Sequence, residues 1–328
     1  MKLRRYTPSD AAKWNDFIQN SKNGTFLFQR SYMDYHADRF LDHSLVATSS
    51  KGQWIAVLPA TEQEEVFSTH AGLTYGGWVS DVAMTCPDML DLFDQLLNYL
   101  ATQGFILLKY KTIPYIYHRL PAQEDAYAIF INNATLYRRD TLSVLDLRAI
   151  SLTQDRRKRC AKKALQQNVE IQLTQNLPQS YVDFWQCLET NLQTQFKQKP
   201  THSLAEILKL QSLHSHNICL HCAYLGGELC AGVVVYLSKP VCHVQYISAS
   251  SAGKESGALD LLFLEIIAHY REQDAFWYLD FGISNEQDGR YLNLGLIEQK
   301  EGFGARTVTH DFYQLSVSAS AERLQAAQ

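Results

Sequence analysis

The chain has 328 residues, 46% hydrophobic and 20% charged, a balance that excludes a disordered polymer and suits two domains of about 150 residues each. A formal net charge of −4 excludes a broad DNA-binding surface and leaves room only for a local basic patch. The opening MKLRRYTPSD lacks the apolar core of a signal peptide, and no apolar run approaches the roughly 20 residues of a membrane helix, so a cytoplasmic protein without membrane insertion is expected.

Leu3–Tyr6 reads as a short strand, and the segment opened by Pro8 as a helix carrying Trp14, Phe17 and Ile18 at helical spacing. SLVATSSKGQWIAVLPAT reads as a hairpin turning at Lys51-Gly52. The glycine-rich HAGLTYGGWVSD leads to an amphipathic helix, where Leu92, Leu96, Leu97 and Leu100 form one stripe ending at Gly104. FILLKYK then reads as a strand closed by Pro114. Ser151 to Gln154 fits a capping box that opens the basic helix RRKRCAKKALQQN.

After a further helical region comes a meander: ICLHCAYL, a turn at Gly226-Gly227, LCAGVVVYLS, a turn at Lys239-Pro240, then VCHVQYISAS. GALDLLFLEIIAHYREQ is a helix with Leu259, Leu262, Phe263, Ile266, Ile267 and Tyr270 on one face. The strand FWYLDF follows, and GLIEQKEGFGARTVTHDF ends the pattern with a short helix and an alternating strand. Hairpin, glycine-containing loop, amphipathic helix and strand thus occur twice, about 170 residues apart, which suggests an internal duplication with domains at 1–150 and 151–328.

Lys300, beside Gly302-Phe303-Gly304, is suited to hold a phosphate or polarise a carbonyl, because the glycines admit close backbone approach; it also fits a solvated surface charge. Asp280 at a strand end either orients an amine or caps the next turn, and the cap is the favoured reading. Six cations lie within Arg156–Lys163, including Arg156 and Arg157, and fit a phosphate, a nucleotide-linked sugar or an RNA end as well as a solvated face. Tyr75, Gly76, Gly77 and Trp78 make either a substrate loop or ordinary turns; the loop with His118 and Glu124 suits a sugar or peptide, and His118 a proton near neutral pH. His214, His216, Cys219, His221 and Cys222 invite a metal, but strand alternation turns Cys222 away from Cys219 and His221, so no metal is expected. Seven cysteines without disulfide-scaffold density read as free core thiols. Hydrolase, nucleoside-triphosphatase and dinucleotide motifs are missing.

In order and spacing, the Asp280-Phe281-Gly282 strand end, Lys300-Glu-Gly-Phe303-Gly304, Arg156-Arg157 and GTFLFQRSYMDYHADRF resemble the Fem-type branch of the GCN5-related N-acetyltransferases (GNAT). The resemblance implies an α/β (α+β) fold of two tandem GNAT-like domains, the first degenerate, each a mixed, mainly antiparallel sheet flanked by helices. It implies an acyl- or aminoacyl-transferase moving an acyl group from acyl-CoA or aminoacyl-tRNA to an amine or hydroxyl of a nucleotide-sugar, amino-sugar or cell-wall precursor. Lys300 and Asp280 would be catalytic, and Ser256, Gly257, Ala258, Phe303 and Gly304 would hold the donor. Arg30, Tyr75, Gly76, Gly77, His118, Glu124, Arg156 and Arg157 would line the acceptor site between the domains. Two departures stand out: Leu259 occupies a small-residue position of the coenzyme A loop, and Ile113-Pro114 replaces an Asp-Pro pair. Both favour the alternative, a non-catalytic sugar- or peptide-binding module. The oligomeric state is not legible in the sequence.

Overall fold

A computed structural model describes residues 1–150 and 152–317, and the chain divides into two compact units. Among the described residues, unit 1 holds Met1–Asp140, Gln287–Tyr291 and residues 309–317; unit 2 holds Thr141–Glu286 and Leu292–Val308. The division therefore falls inside the strands Thr135–Asp146 and Arg306–Ser316 rather than near Ser151, which itself lies outside the described residues.

In unit 1 the strands Lys2–Arg5, Leu45–Thr48, Trp54–Leu58 and Val79–Ser80 form one antiparallel sheet in that spatial order. The hairpin turns at Gly52, whose φ of 79° suits a residue without Cβ. A second group runs from Leu41–Asp42 through Thr61–Gln63, Val66–Ser68 and Leu107–Lys111 to the returning C-terminal strand, with Tyr313 opposite Tyr110. The helix Cys86–Thr102 covers this core because Thr85 caps it by accepting the Asp88 N–H and Pro87 pre-forms its first turn. Leu92, Leu96, Leu97 and Leu100 are fully buried on its inner face, each contributing about 2 kcal/mol of apolar burial.

Unit 2 carries the meander Ile218–Leu225, Glu228–Ser238 and Val241–Ala249, whose last strand runs parallel to Tyr278–Ile283. The residues from Thr141 of the strand Thr135–Asp146 close the other edge of Tyr278–Ile283, antiparallel. One face is packed by the helices Asp155–Gln166 and Ala258–Arg271, the latter burying Leu261, Leu262, Phe263, Ile266 and Ile267. The other face is packed by Pro178–Phe196, where Phe184 sits so close over Gly232 that a Cβ there would lie 2.3 Å from its ring. The helix Asp155–Gln166 begins after Gln154 without a side-chain cap bond. Among the described residues, no helix is long and apolar enough to cross a membrane.

Candidate functional site

The parallel register in unit 2 sets His243 beside Asp280. His243 Nδ1 lies 2.9 Å from Asp280 Oδ2, and the carboxylate is 1% exposed against 14% for the imidazole. A carboxylate only accepts, so Nδ1 carries a proton, and Nε2 has no partner among the described residues; in the neutral ring the lone pair then lies on Nε2. The other oxygen of Asp280 accepts the Gly282 N–H at 2.8 Å, so this residue caps the turn and orients the histidine together. Gly282 has φ 74°, which ends the regular ladder: the register shifts between Asp280 and Ile283.

That turn aims two carbonyls at Lys300. The helix Leu294–Glu301 is started by Asn293, whose side chain accepts the Leu296 N–H, and Lys300 lies in its last turn. Lys300 is 5% exposed and its Nζ donates to Gly282 O at 3.1 Å and Ile283 O at 2.5 Å. Burial lowers its pKa to about 8, the negative charge of Asp280 opposing that shift. His243 flanks the same turn, since a Cβ on Gly282 would stand 3.5 Å from its Cε1. An imidazole with an unpartnered Nε2 and a buried ammonium thus converge on Gly282.

Phe303 stacks on Phe281 at 5.8 Å between ring centres, and the Arg157 guanidinium lies 4.9 Å from its ring centre. Phe303 is therefore a buried plug that fixes the Lys300 segment, and Gly304, at φ 97°, packs against Leu152. Arg157, expected to hold acceptor, is committed elsewhere: its terminal nitrogens reach Asp260 Oδ1 at 2.9 Å and Gln299 O at 3.2 Å. Arg156 and Arg159 remain exposed on the same helix.

The donor loop departs from expectation. Residues Ser251–Ser256 form a short helix, and Ser256, Gly257 and Ala258 are buried. Ser256 Oγ and the Gly257 N–H both donate to Gly253 O. Gly257 presses on the backbone of the basic helix, where a Cβ would stand 2.5 Å from Cys160 O. Asp260 and Arg157 supply charge at that helix start instead of a pyrophosphate. Gly257 is thus held by packing against the basic helix and by its bond to Gly253. Gly257→Ala, strained at φ 82° and against that carbonyl, should lose about 2–4 kcal/mol in urea unfolding; unchanged stability would show the contact to be soft.

The residues expected to line an acceptor site in unit 1 are absorbed by its own packing. Arg30, 6% exposed, is paired with Asp34 and Asp42 and stacked 4.1 Å over Tyr6. Tyr75 is buried against Phe28 and Tyr117 and donates to Thr25 Oγ1 at 3.0 Å. Gly76 and Gly77 are small because Thr69 O and Tyr110 Oη occupy the space a Cβ would need. Glu124 holds Lys22 at 2.6 Å. His118 meets Ile113 O at 3.1 Å, and burial pushes its pKa down to about 4, so it does not exchange protons near neutrality.

His221 is a satisfied core histidine, taking the Thr174 N–H at Nδ1 and meeting Tyr270 Oη at Nε2. Among the described residues, no cluster of histidine, cysteine or acidic side chains is placed to hold a metal ion. The seven cysteines are unpaired.

Residues 154–291 match the family model described as an acetyltransferase (GNAT) domain. FemX has a solved structure similar over 95% of this chain and 97% of its own, at 10% identity and a TM-score of 0.66. The C-terminal domain of a putative lysylphosphatidylglycerol synthetase from Agrobacterium fabrum covers 97% and 95%, at 14% identity and 0.62. A tandem GNAT protein from the clavulanic acid biosynthesis pathway covers 96% and 98%, at 11% identity and 0.51. No curated protein sequence matches the chain. At these identities the likeness is one of fold.

Proposed function

We propose that this chain, a GNAT protein of Fem-like fold, is an acyl- or aminoacyl-transferase that works on the Gly282 turn of unit 2. The observation that carries the reading is the convergence of the His243–Asp280 pair and Lys300 on that turn. An acceptor amine or hydroxyl attacks the carbonyl of an acyl ester. His243 Nε2 takes the acceptor proton as the new C–N or C–O bond forms, and returns it to the departing ester oxygen. Asp280 holds the imidazole in the tautomer this needs and stabilises it when protonated. The Lys300 ammonium, two of whose protons are fixed on carbonyls, turns its third toward the developing oxyanion.

The filled loop at Ser256–Ala258 favours a donor without a pyrophosphate to anchor, such as an aminoacyl ester on transfer RNA, over acyl-CoA. The exposed Arg156 and Arg159 suit the RNA end. The acceptor class is a nucleotide-sugar, amino-sugar or cell-wall precursor, and the compartment the cytoplasm, where charged transfer RNA resides. Incubating the protein with radiolabelled aminoacyl-tRNA or acetyl-CoA and an amino-sugar acceptor tests this. Label should pass from the aminoacyl ester and not from the thioester; efficient transfer from acetyl-CoA would reverse the donor assignment. The second reading, a binding module without catalysis, rests on the same filled loop and is favoured if neither donor yields product while the acceptor binds.

A further inference from the structure

Within unit 1, the strand Leu107–Lys111 turns Leu108 and Tyr110 into the core, so alternation puts Lys109 and Lys111 on its other face. That face is the floor of a cavity of about 1000 Å³, walled by the segment Ala37–Leu41, by residues 61–68 and by Arg138 and Phe312.

The charges lining it are unevenly satisfied. Arg138 is held by Asp140 at 2.8 Å and Asp288 at 3.0 Å, and lies 4.6 Å over Phe312. Glu62 is held by His43 at 2.7 Å and Arg5 at 3.1 Å. Among the described residues, no carboxylate lies within ion-pair distance of Lys109 or Lys111. The Lys111 ammonium donates only to neutral oxygens, those of Leu73 and Ala71. Burial, and secondarily the charge of Arg138, lower its pKa to about 7. A half-buried ammonium without counter-charge is costly, and an incoming anion removes that cost.

Residues two apart on a strand stand about 6.6 Å apart, a separation that two flexible lysine side chains span to meet on one phosphoryl group. A phosphate ester brings about two negative charges and several acceptor oxygens, where a carboxylate brings one charge. Half-buried Phe40 and exposed Leu41 offer apolar surface beside it. The exposed carboxylates of Asp38 and Glu64, also on the lining, repel an extended polyanion and so disfavour nucleic acid here.

The geometry points to a binding site in unit 1 for a small phosphate ester, its phosphoryl group on Lys109 and Lys111 and its organic part against Phe40 and Leu41. Binding at this site does not depend on the transferase reading. The ester is either a soluble metabolite or the headgroup of a phospholipid.

Titration calorimetry of the full chain with glycerol 3-phosphate at pH 8, in two buffers of different ionisation enthalpy, tests the soluble form. Sedimentation with vesicles of phosphatidylglycerol in phosphatidylcholine, against phosphatidylcholine alone, tests the lipid form. Saturable binding should weaken at least tenfold in Lys111→Met and also weaken in Lys109→Gln. At pH 8 Lys111 is mostly neutral when the cavity is empty, so binding should take up as much as about one proton, and none in Lys111→Met. A melting temperature for Lys111→Met no lower than that of the parent shows that the fold is intact. Lys111-dependent binding of anionic vesicles without glycerol 3-phosphate binding identifies the lipid source. Absence of both, binding equal in Lys111→Met, or soluble binding without proton uptake overturns the assignment.

Discussion

Replacing His243 by glutamine should lower kcat by about 10²–10⁴-fold, the range for loss of a general base, while KM stays within a few-fold. The reason lies in the arrangement around Nε2. Asp280 is 1% exposed and gives one oxygen to His243 and the other to the Gly282 N–H, so the ring has little freedom to turn. Asp280→Asn makes the sharper test because it keeps the turn. The asparagine oxygen still accepts from Gly282, but its amide must then donate to Nδ1, which forces the imidazole proton onto Nε2. The base becomes a donor with the fold intact. The expected result is a loss of kcat comparable to that of His243→Gln, with an unchanged melting temperature. Wild-type turnover in either variant would remove His243 from the chemistry; a loss of melting temperature in Asp280→Asn would instead mark the pair as structural.

How much of this was legible depended on the range of the interaction. The helices Cys86–Thr102 and Ala258–Arg271 announce themselves because a local period of 3.6 writes their buried stripes directly into the sequence. The meander is equally plain, its strands being separated by short turns. Lys300 and Asp280 are legible through the ordered resemblance to the Fem-type pattern more than through the glycines beside them. His243 carries no such mark, although its strand Val241–Ala249 is itself legible. Its partner comes from a parallel neighbour reached only after the helix Ala258–Arg271, and no local pattern states that register.

Non-local pairing also explains the division of the chain. Phe312–Ser316 joins unit 1 by pairing with Leu107–Lys111, which lies some two hundred positions earlier. The packing of the residues expected to line the acceptor site is illegible for a different reason. A glycine that makes room for a ligand and one that makes room for Thr69 or Tyr110 look the same in sequence. An arginine free to bind and one locked between Asp34 and Asp42 do as well. The close approach of Gly257 to Cys160 is likewise visible only in the assembled unit.

Lys300→Met should cut kcat at least tenfold yet leave the melting temperature at pH 7 nearly unchanged, because two opposing contributions are of similar size. Keeping the ammonium buried with its pKa lowered from 10.5 to about 8 costs on the order of 3 kcal/mol below pH 8. Removing it strands the carbonyls of Gly282 and Ile283, which costs about 1–3 kcal/mol for each one left dry. The pH dependence separates the two. The folded pKa lies below the unfolded value, so between about 8 and 10.5 the unfolded chain binds more protons, and wild-type stability rises with pH across that window. Methionine has no proton to lose, so the wild type should gain on the variant as pH moves from 7 to 10 in chemical denaturation. Activity should move the other way. A charged Lys300 supports the oxyanion, so wild-type kcat should fall as pH rises through about 8, and this basic limb should vanish from the residual activity of the variant. A variant that turns over at the wild-type rate would make Lys300 a buried strut for the Gly282 turn and nothing more.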